Sequence, residues 1–193
     1  DDFAMDPEHA RALVSARTRV ILPVDPFGQP ADHPSLERLA AASGARLIVD
    51  AACSLGASRG GRECGAHGDM GCFSFHPRKV VTCGEGGMVT TDDPSLADRL
   101  RLLRNHGSRR LEERALEFVT PGFNYRLSEM PAALGLSQMR RIDQIIFDRR
   151  TTASRYDEVL ADLAGVRIPM AAPGTSWSYQ SYVILLDDSI DRD

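Results

Sequence analysis

The chain's 193 residues, 42% hydrophobic and 26% charged, suffice for one sizeable core and exclude collagen-like, coiled-coil and disordered classes. A net charge of -4 and a pI near 5.7 give no basic field for a nucleic-acid backbone, so no nucleic acid is expected as a partner. No apolar run approaches the ~20 residues of a bilayer span, Cys53, Cys64, Cys72 and Cys83 form no CxxC pair, and no leader-like start is seen, so reduced thiols and a cytoplasmic setting are expected.

In chain order the periods alternate as α/β units. Asp6-Pro7 reads as an N-cap and first helical residue of a helix to about Ser15, followed by a strand over Arg19 to Val24. Asp25 to Gly28 makes a loop, Pro34 opens a second helix through Leu36, Leu39 and Ala40, and Gly44 closes it. The strand Arg46 to Val49 follows; its apolar Leu47-Ile48-Val49 suits a buried parallel strand and delivers Asp50 where open α/β sheets place ligands. Short strands are expected at Gly71 to Phe75 and Gly86 to Thr91, then a helix capped by Asp93-Pro94 with Leu96, Leu100 and Leu103 on one face. Ser108 to Arg114 is charged and unpatterned, which reads as a mobile loop. Ser128 reads as an N-cap with Glu129 in the first turn. Ile142, Ile145, Ile146, Arg149, Ala153, Tyr156, Leu160 and Leu163 then recur at helical spacing, predicting one long helix to Gly165 that bridges two domains.

The chemistry concentrates around Lys79. It sits between the aromatic run Cys72-Phe73-Ser74-Phe75 and the turn Gly84-Glu85-Gly86-Gly87. A Schiff-base lysine needs an amine that is partly neutral, and flanking Phe75, Val80 and Val81 would desolvate Lys79. A strand-end carboxylate, Asp50, would keep a pyridine nitrogen protonated, and Ser74 would donate to a phosphate. Together these meet the demands of pyridoxal 5'-phosphate. His67, Cys72 and His76 lack paired metal-ligand spacing, so no metal is expected. The glycine turn lacks the spacing of a dinucleotide fingerprint; its glycines are expected to serve close backbone approach or positive φ at Gly84, Gly86 or Gly87.

Five ordered blocks resemble the DegT/DnrJ/EryC1/StrS family of sugar aminotransferases: Asp50 to Ala57, Gly68 to Lys79, Gly84 to Thr91, Leu102 to Gly107 and Gly122 to Glu129. The resemblance implies a PLP-dependent transferase of fold type I, aspartate aminotransferase-like, with a mixed, mostly parallel sheet flanked by helices. It implies that Lys79 bonds the cofactor, Asp50 pairs with the pyridine nitrogen, Ser74 contacts the phosphate, and Asn124 reaches the phosphate in the neighbouring subunit of a homodimer. The third residue after the aspartate is often Gln or His in this family and touches the ring; here it is Cys53, a weaker donor. Family members are about twice as long, which suggests a fragment: 1–138 part of the cofactor-binding large domain, 139–165 a linking helix and 166–193 the start of a small domain. The implied reaction moves an amino group, with glutamate as the expected donor, to a keto sugar, expected to be nucleotide-linked. The alternatives are a sugar dehydratase or a non-catalytic regulatory protein that keeps the fold.

Overall fold

The computed structural model describes residues 3–111 and 116–190. Helix α1 (Pro7–Leu13) begins where the Asp6 carboxylate accepts from Glu8 N–H, as the sequence predicts. Strand β1 (Val20–Ile21) is shorter than expected, because Pro23 has no N–H to offer the ladder; pairing resumes only at an isolated bridge between Val24 and Asp50. Helix α2 (His33–Ser43) starts one residue before Pro34, capped by Asp32, and ends at Gly44 in the left-handed conformation (φ 69°).

Strand β2 (Arg46–Asp50) pairs in parallel with β1 and with β5 (Met70–Ser74). Between them lie the short strands β3 (Ser58–Arg59) and β4 (Arg62–Glu63), a hairpin closed by Gly60 and Gly61. Strand β6 (Gly87–Thr90) runs antiparallel to β5, giving a mixed sheet in the order β1-β2-β5-β6. Along β2 the side chains alternate: Leu47 and Val49 are buried while Arg46 is exposed and Ile48 half-buried. Leu47 and Val49 pack with Ile21 and, from α2, Leu36, Leu39 and Ala40.

Helix α3 (Pro94–Arg104) is capped by Asp93, whose carboxylate accepts from Ser95 and Leu96 N–H. One expectation fails beyond it. Part of the supposed loop after Gly107 is a hairpin, β7 (Ser108–Arg110) against β8 (Leu116–Phe118), in which Arg109 and Glu117 form a cross-strand ion pair at 2.6 Å. Glu112, Glu113 and Arg114, also assigned to that loop, lie outside the described residues. The helix expected after Ser128 is α4 (Glu129–Met139); past Arg141, whose φ of -117° is non-helical, the expected long helix follows as α5 (Ile142–Leu160), ending short of Gly165. Ser128 has the extended backbone of an N-cap, but its side chain makes no capping bond. On α5 only Ile146 and Ala153 are buried, so the helical period locates the packed stripe but overstates its width.

The chain closes with β9 (Val166–Arg167), β10 (Thr175–Ser176) and β11 (Leu185–Leu186). Strand β10 joins the β3–β4 hairpin, and β11 pairs with β9. Replacing Leu36, fully buried under the sheet, by alanine should lower the stability by about 2–5 kcal/mol through lost burial and a cavity, read as a lower urea midpoint.

Candidate active site

The carboxyl end of β2 collects the groups that the sequence singles out. Asp50 stands opposite Cys72 in the parallel ladder, so Ser74 emerges two residues further along β5, opposite Gly87. After Asp50 the chain turns back: the Asp50 carboxylate accepts from Ala52 N–H at 3.1 Å and Ser54 N–H donates to Ala51 O. This turn presents Cys53. After Ser74 a second turn, in which Lys79 N–H donates to His76 O, directs Lys79 toward it, and Lys79 Nζ lies 3.0 Å from Cys53 Sγ. Phe75, Val80, Val81 and Cys83 are buried with Ile146 of α5 beneath the lysine turn, so Lys79 is half-buried on an apolar floor, as the flanking residues predicted.

Ser74 Oγ accepts from His76 N–H at 3.3 Å and keeps its own proton for donation. In the glycine turn only Gly84 has positive φ (86°). Gly86 and Gly87 serve close approach instead: a Cβ on Gly86 would stand 2.6 Å from Cys83 Sγ, and one on Gly87 would stand 2.7 Å from Phe73 O. Lys79 carries a further distinction that motif reading passed over. Among the 23 lysine and arginine residues it is the one lysine, and a guanidinium cannot release a proton to become the amine that a carbonyl requires.

Sequence reasoning also missed what supports the two turns. Asp25, fully buried, accepts from Ala31 N–H and His33 Nε2 at 2.8 Å each and from Ser54 Oγ at 2.7 Å, which ties the Cys53 turn to the start of α2. The signal was a single acidic residue in an apolar stretch, easily read as a loop aspartate. Cys64 lies within reach of the same carboxylate and burial pushes its thiol up, so Asp25, His33 and Cys64 form a hydrogen-bonded knot of metal-ligand residue types. From the other side, Ser178 Oγ donates to Cys53 O at 3.1 Å, and Gln180 Nε2 donates to Arg78 O at 2.8 Å. Arg150 of α5 donates to Trp177 O and Gly56 O, so the segment around residues 177–180 clamps both turns.

Asn124 stands apart from this group. It pairs with Asn105 in an isolated bridge, its Oδ1 accepts from Arg126 Nε at 3.0 Å, and it lines a cavity of about 1400 Å³ whose wall includes Phe73, Gly86, Gly87 and Tyr125 but none of Asp50, Cys53, Ser74 or Lys79.

The residues fit pyridoxal phosphate: a carboxylate for a ring nitrogen, an amine for an aldehyde and a hydroxyl donor for a phosphate converge at the open end of a mostly parallel sheet. Solved structures agree on the class, since the fold is that of PLP-dependent sugar aminotransferases. DesV of Streptomyces venezuelae, solved with a ketimine intermediate, matches with a TM-score of 0.90 and 37% identity over 96% of this chain and 49% of its own. PseC of Helicobacter pylori, an aminotransferase of pseudoaminic acid biosynthesis, matches with a TM-score of 0.92 and 28% identity over 97% and 50%. The chain belongs to the DegT/DnrJ/EryC1/StrS aminotransferase family, whose model matches residues 1–193. A curated relative, dTDP-3-amino-3,4,6-trideoxy-alpha-D-glucose transaminase of Streptomyces venezuelae, is 40% identical over 176 residues, 91% of this chain and 45% of the relative. The chain thus spans about half the length of the relatives it matches.

Behind the site, His67 packs on His33 with ring centroids 4.5 Å apart and lies 3.4 Å from Glu37. Burial holds His67 below its ordinary 6.5, and the neighbouring His33 and Arg62 add to the shift. For Glu37 burial opposes the charge, yet the Gly68 N–H, Arg62 and His67 together hold the carboxyl below its ordinary 4.5. The folded chain therefore resists both protons while the unfolded chain accepts them. Stability should be level above about pH 7 and fall on acidification, first as His67 is forced to charge and then through Glu37. The melting temperature checks this, and His67→Leu should remove the upper limb of the fall; a melting temperature that rises between about pH 7 and pH 5 would contradict it.

Proposed function

We propose that this chain forms part of an aminotransferase that moves an amino group between an amino acid and a keto sugar at Lys79. The observation that carries the reading is the delivery of the chain's one lysine to Cys53, three residues past Asp50 at the end of β2, in a member of this family. The curated relative acts on a dTDP-linked sugar, which favours a nucleotide-linked keto sugar as acceptor, and L-glutamate is the proposed donor.

When bound, pyridoxal phosphate supplies an aldehyde that takes up the amino group and a ring that withdraws electrons from the substrate carbon. Lys79 would hold the cofactor aldehyde through Nζ, and its amine would serve as the general base and acid that moves the proton of the donor's α-carbon. The apolar floor of Phe75, Val80 and Val81 excludes water from that amine. Asp50 holds the ring nitrogen in its charged form, and Ser74 Oγ orients the phosphate. Cys53 sits beside the amine and contributes a weak sulfur contact to the cofactor. Asn124, which lines a cavity that none of Asp50, Cys53, Ser74 and Lys79 lines, would reach the phosphate of a second copy, in a homodimer with shared sites. Residues 1–138 then belong to the cofactor-binding large domain, 139–165 to the link and 166–193 to the start of a small domain. The four free thiols fit a cytoplasmic setting.

The test is release of 2-oxoglutarate from L-glutamate in the presence of a nucleotide-linked keto sugar. Lys79→Ala should abolish both turnover and the visible absorbance of bound cofactor; an unchanged spectrum refutes the role of Lys79. Asp50→Asn should lower turnover by more than about tenfold, and a smaller loss removes Asp50 from the mechanism.

A further inference from the structure

We propose that Cys53 and Lys79 are a covalent modification site, at which a peroxide joins Sγ to Nζ as a sulfenamide and withdraws the cofactor-binding amine. The inference rests on the assignment of Lys79 as that amine.

Geometry selects this pair. Nζ and Sγ lie 3.0 Å apart, and both residues are half-buried, open to a molecule the size of hydrogen peroxide. The approach is built into the backbone rather than left to a long side chain. On the cysteine side, Ser54 is tied to Asp25 and Cys53 O accepts from Ser178. On the lysine side, Lys79 N–H is bonded to His76 O, Arg78 O accepts from Gln180, and Val80 and Val81 are buried. The other three thiols are differently placed. Cys64 is buried against the Asp25 carboxylate, Cys83 Sγ points at Glu85 O at 3.4 Å, and Cys72 neighbours Asp50; burial pushes each of these thiols up. With one lysine in the sequence, Cys53 is the thiol that meets a side-chain amine.

The chemistry balances with one peroxide. Cys53 Sγ attacks a peroxide oxygen, the S–O bond forms as the O–O bond breaks, and the departing hydroxyl takes the thiol proton and leaves as water, so sulfur is oxidised by two electrons and peroxide is reduced. Lys79 Nζ then attacks the sulfenic sulfur; the S–N bond forms, the S–O bond breaks, and the hydroxyl leaves as water with a proton from the amine. A thiol reverses the link by attacking sulfur and returning the amine. Cofactor bonded to Nζ removes the second nucleophile, so the loaded protein is protected and the stripped protein is vulnerable.

The experiment treats cofactor-free protein with hydrogen peroxide and reads intact mass and a peptide map. The expected product is about 2 Da lighter, its map joins the Cys53 and Lys79 peptides, and dithiothreitol restores the original mass. Lys79→Arg and Cys53→Ser should each abolish the joined peptide, whereas Cys64→Ser should retain it. Oxidation that stops on Cys53 as an acid, about 16 or 32 Da heavier, or a disulfide from Cys53 to another cysteine, overturns the proposal. A parallel sample loaded with pyridoxal phosphate separates the two claims. Protection supports both; cross-linking that proceeds undiminished leaves the modification site standing and removes Lys79 as the cofactor amine.

Discussion

The parallel register between β2 and β5 fixes where every reactive group stands. Because side chains on a strand alternate between faces, a slip of one residue would turn Asp50 away from its face and break its alignment with Ser74. Asp69, just before β5, holds the register by two routes: its carboxylate accepts from Leu47 N–H at 2.8 Å and from Arg46, and its carbonyl accepts from Thr91 Oγ1 at 2.7 Å. Gly71 admits no side chain, since a Cβ there would stand 2.8 Å from Gly65 Cα and 2.9 Å from Thr90 Oγ1. The start of β5 is thereby locked to the start of β2 and the end of β6, and the far ends of β2 and β5 inherit the alignment.

From that register the site is built outward by hydrogen bonds to turns rather than by further strands. Asp25 fixes the turn that carries Cys53 by accepting three well-formed bonds in a site sealed from water, where an unpaired donor would cost on the order of 1–3 kcal/mol. Ser178 and Gln180, more than a hundred residues beyond the turns they hold, bring the last part of the described chain onto the site. Lys79 is therefore held between a sheet end, a buried carboxylate and a returning segment. Such a setting can keep an amine oriented without burying it completely, and that orientation is the main thing a protein supplies to a cofactor that carries its own chemistry.

Much of this was legible in the sequence where the signals are local. Capping aspartates, the glycine after α2 and the apolar run before Asp50 each act within a few residues, and the helices and strands they imply are present. That Asp50, Ser74 and Lys79 belong together was legible from their chemistry and from the family blocks, whereas the contact of the Cys53 and Lys79 turns depends on strand order. What escaped is non-local. The β7–β8 hairpin hides in a charged stretch because its cross-strand partner, Glu117, lies eight residues from Arg109. The support by Asp25, Ser178 and Gln180 joins positions that no local spacing rule connects.

The central claim is that Lys79 is the amine that takes the cofactor, and chemical trapping tests it most directly. Protein loaded with pyridoxal phosphate and treated with borohydride, which makes the bond between cofactor and amine permanent, is digested and mapped. The account predicts a phosphopyridoxyl group on the peptide containing Lys79. Loaded protein whose Lys79 peptide emerges unlabelled would contradict it.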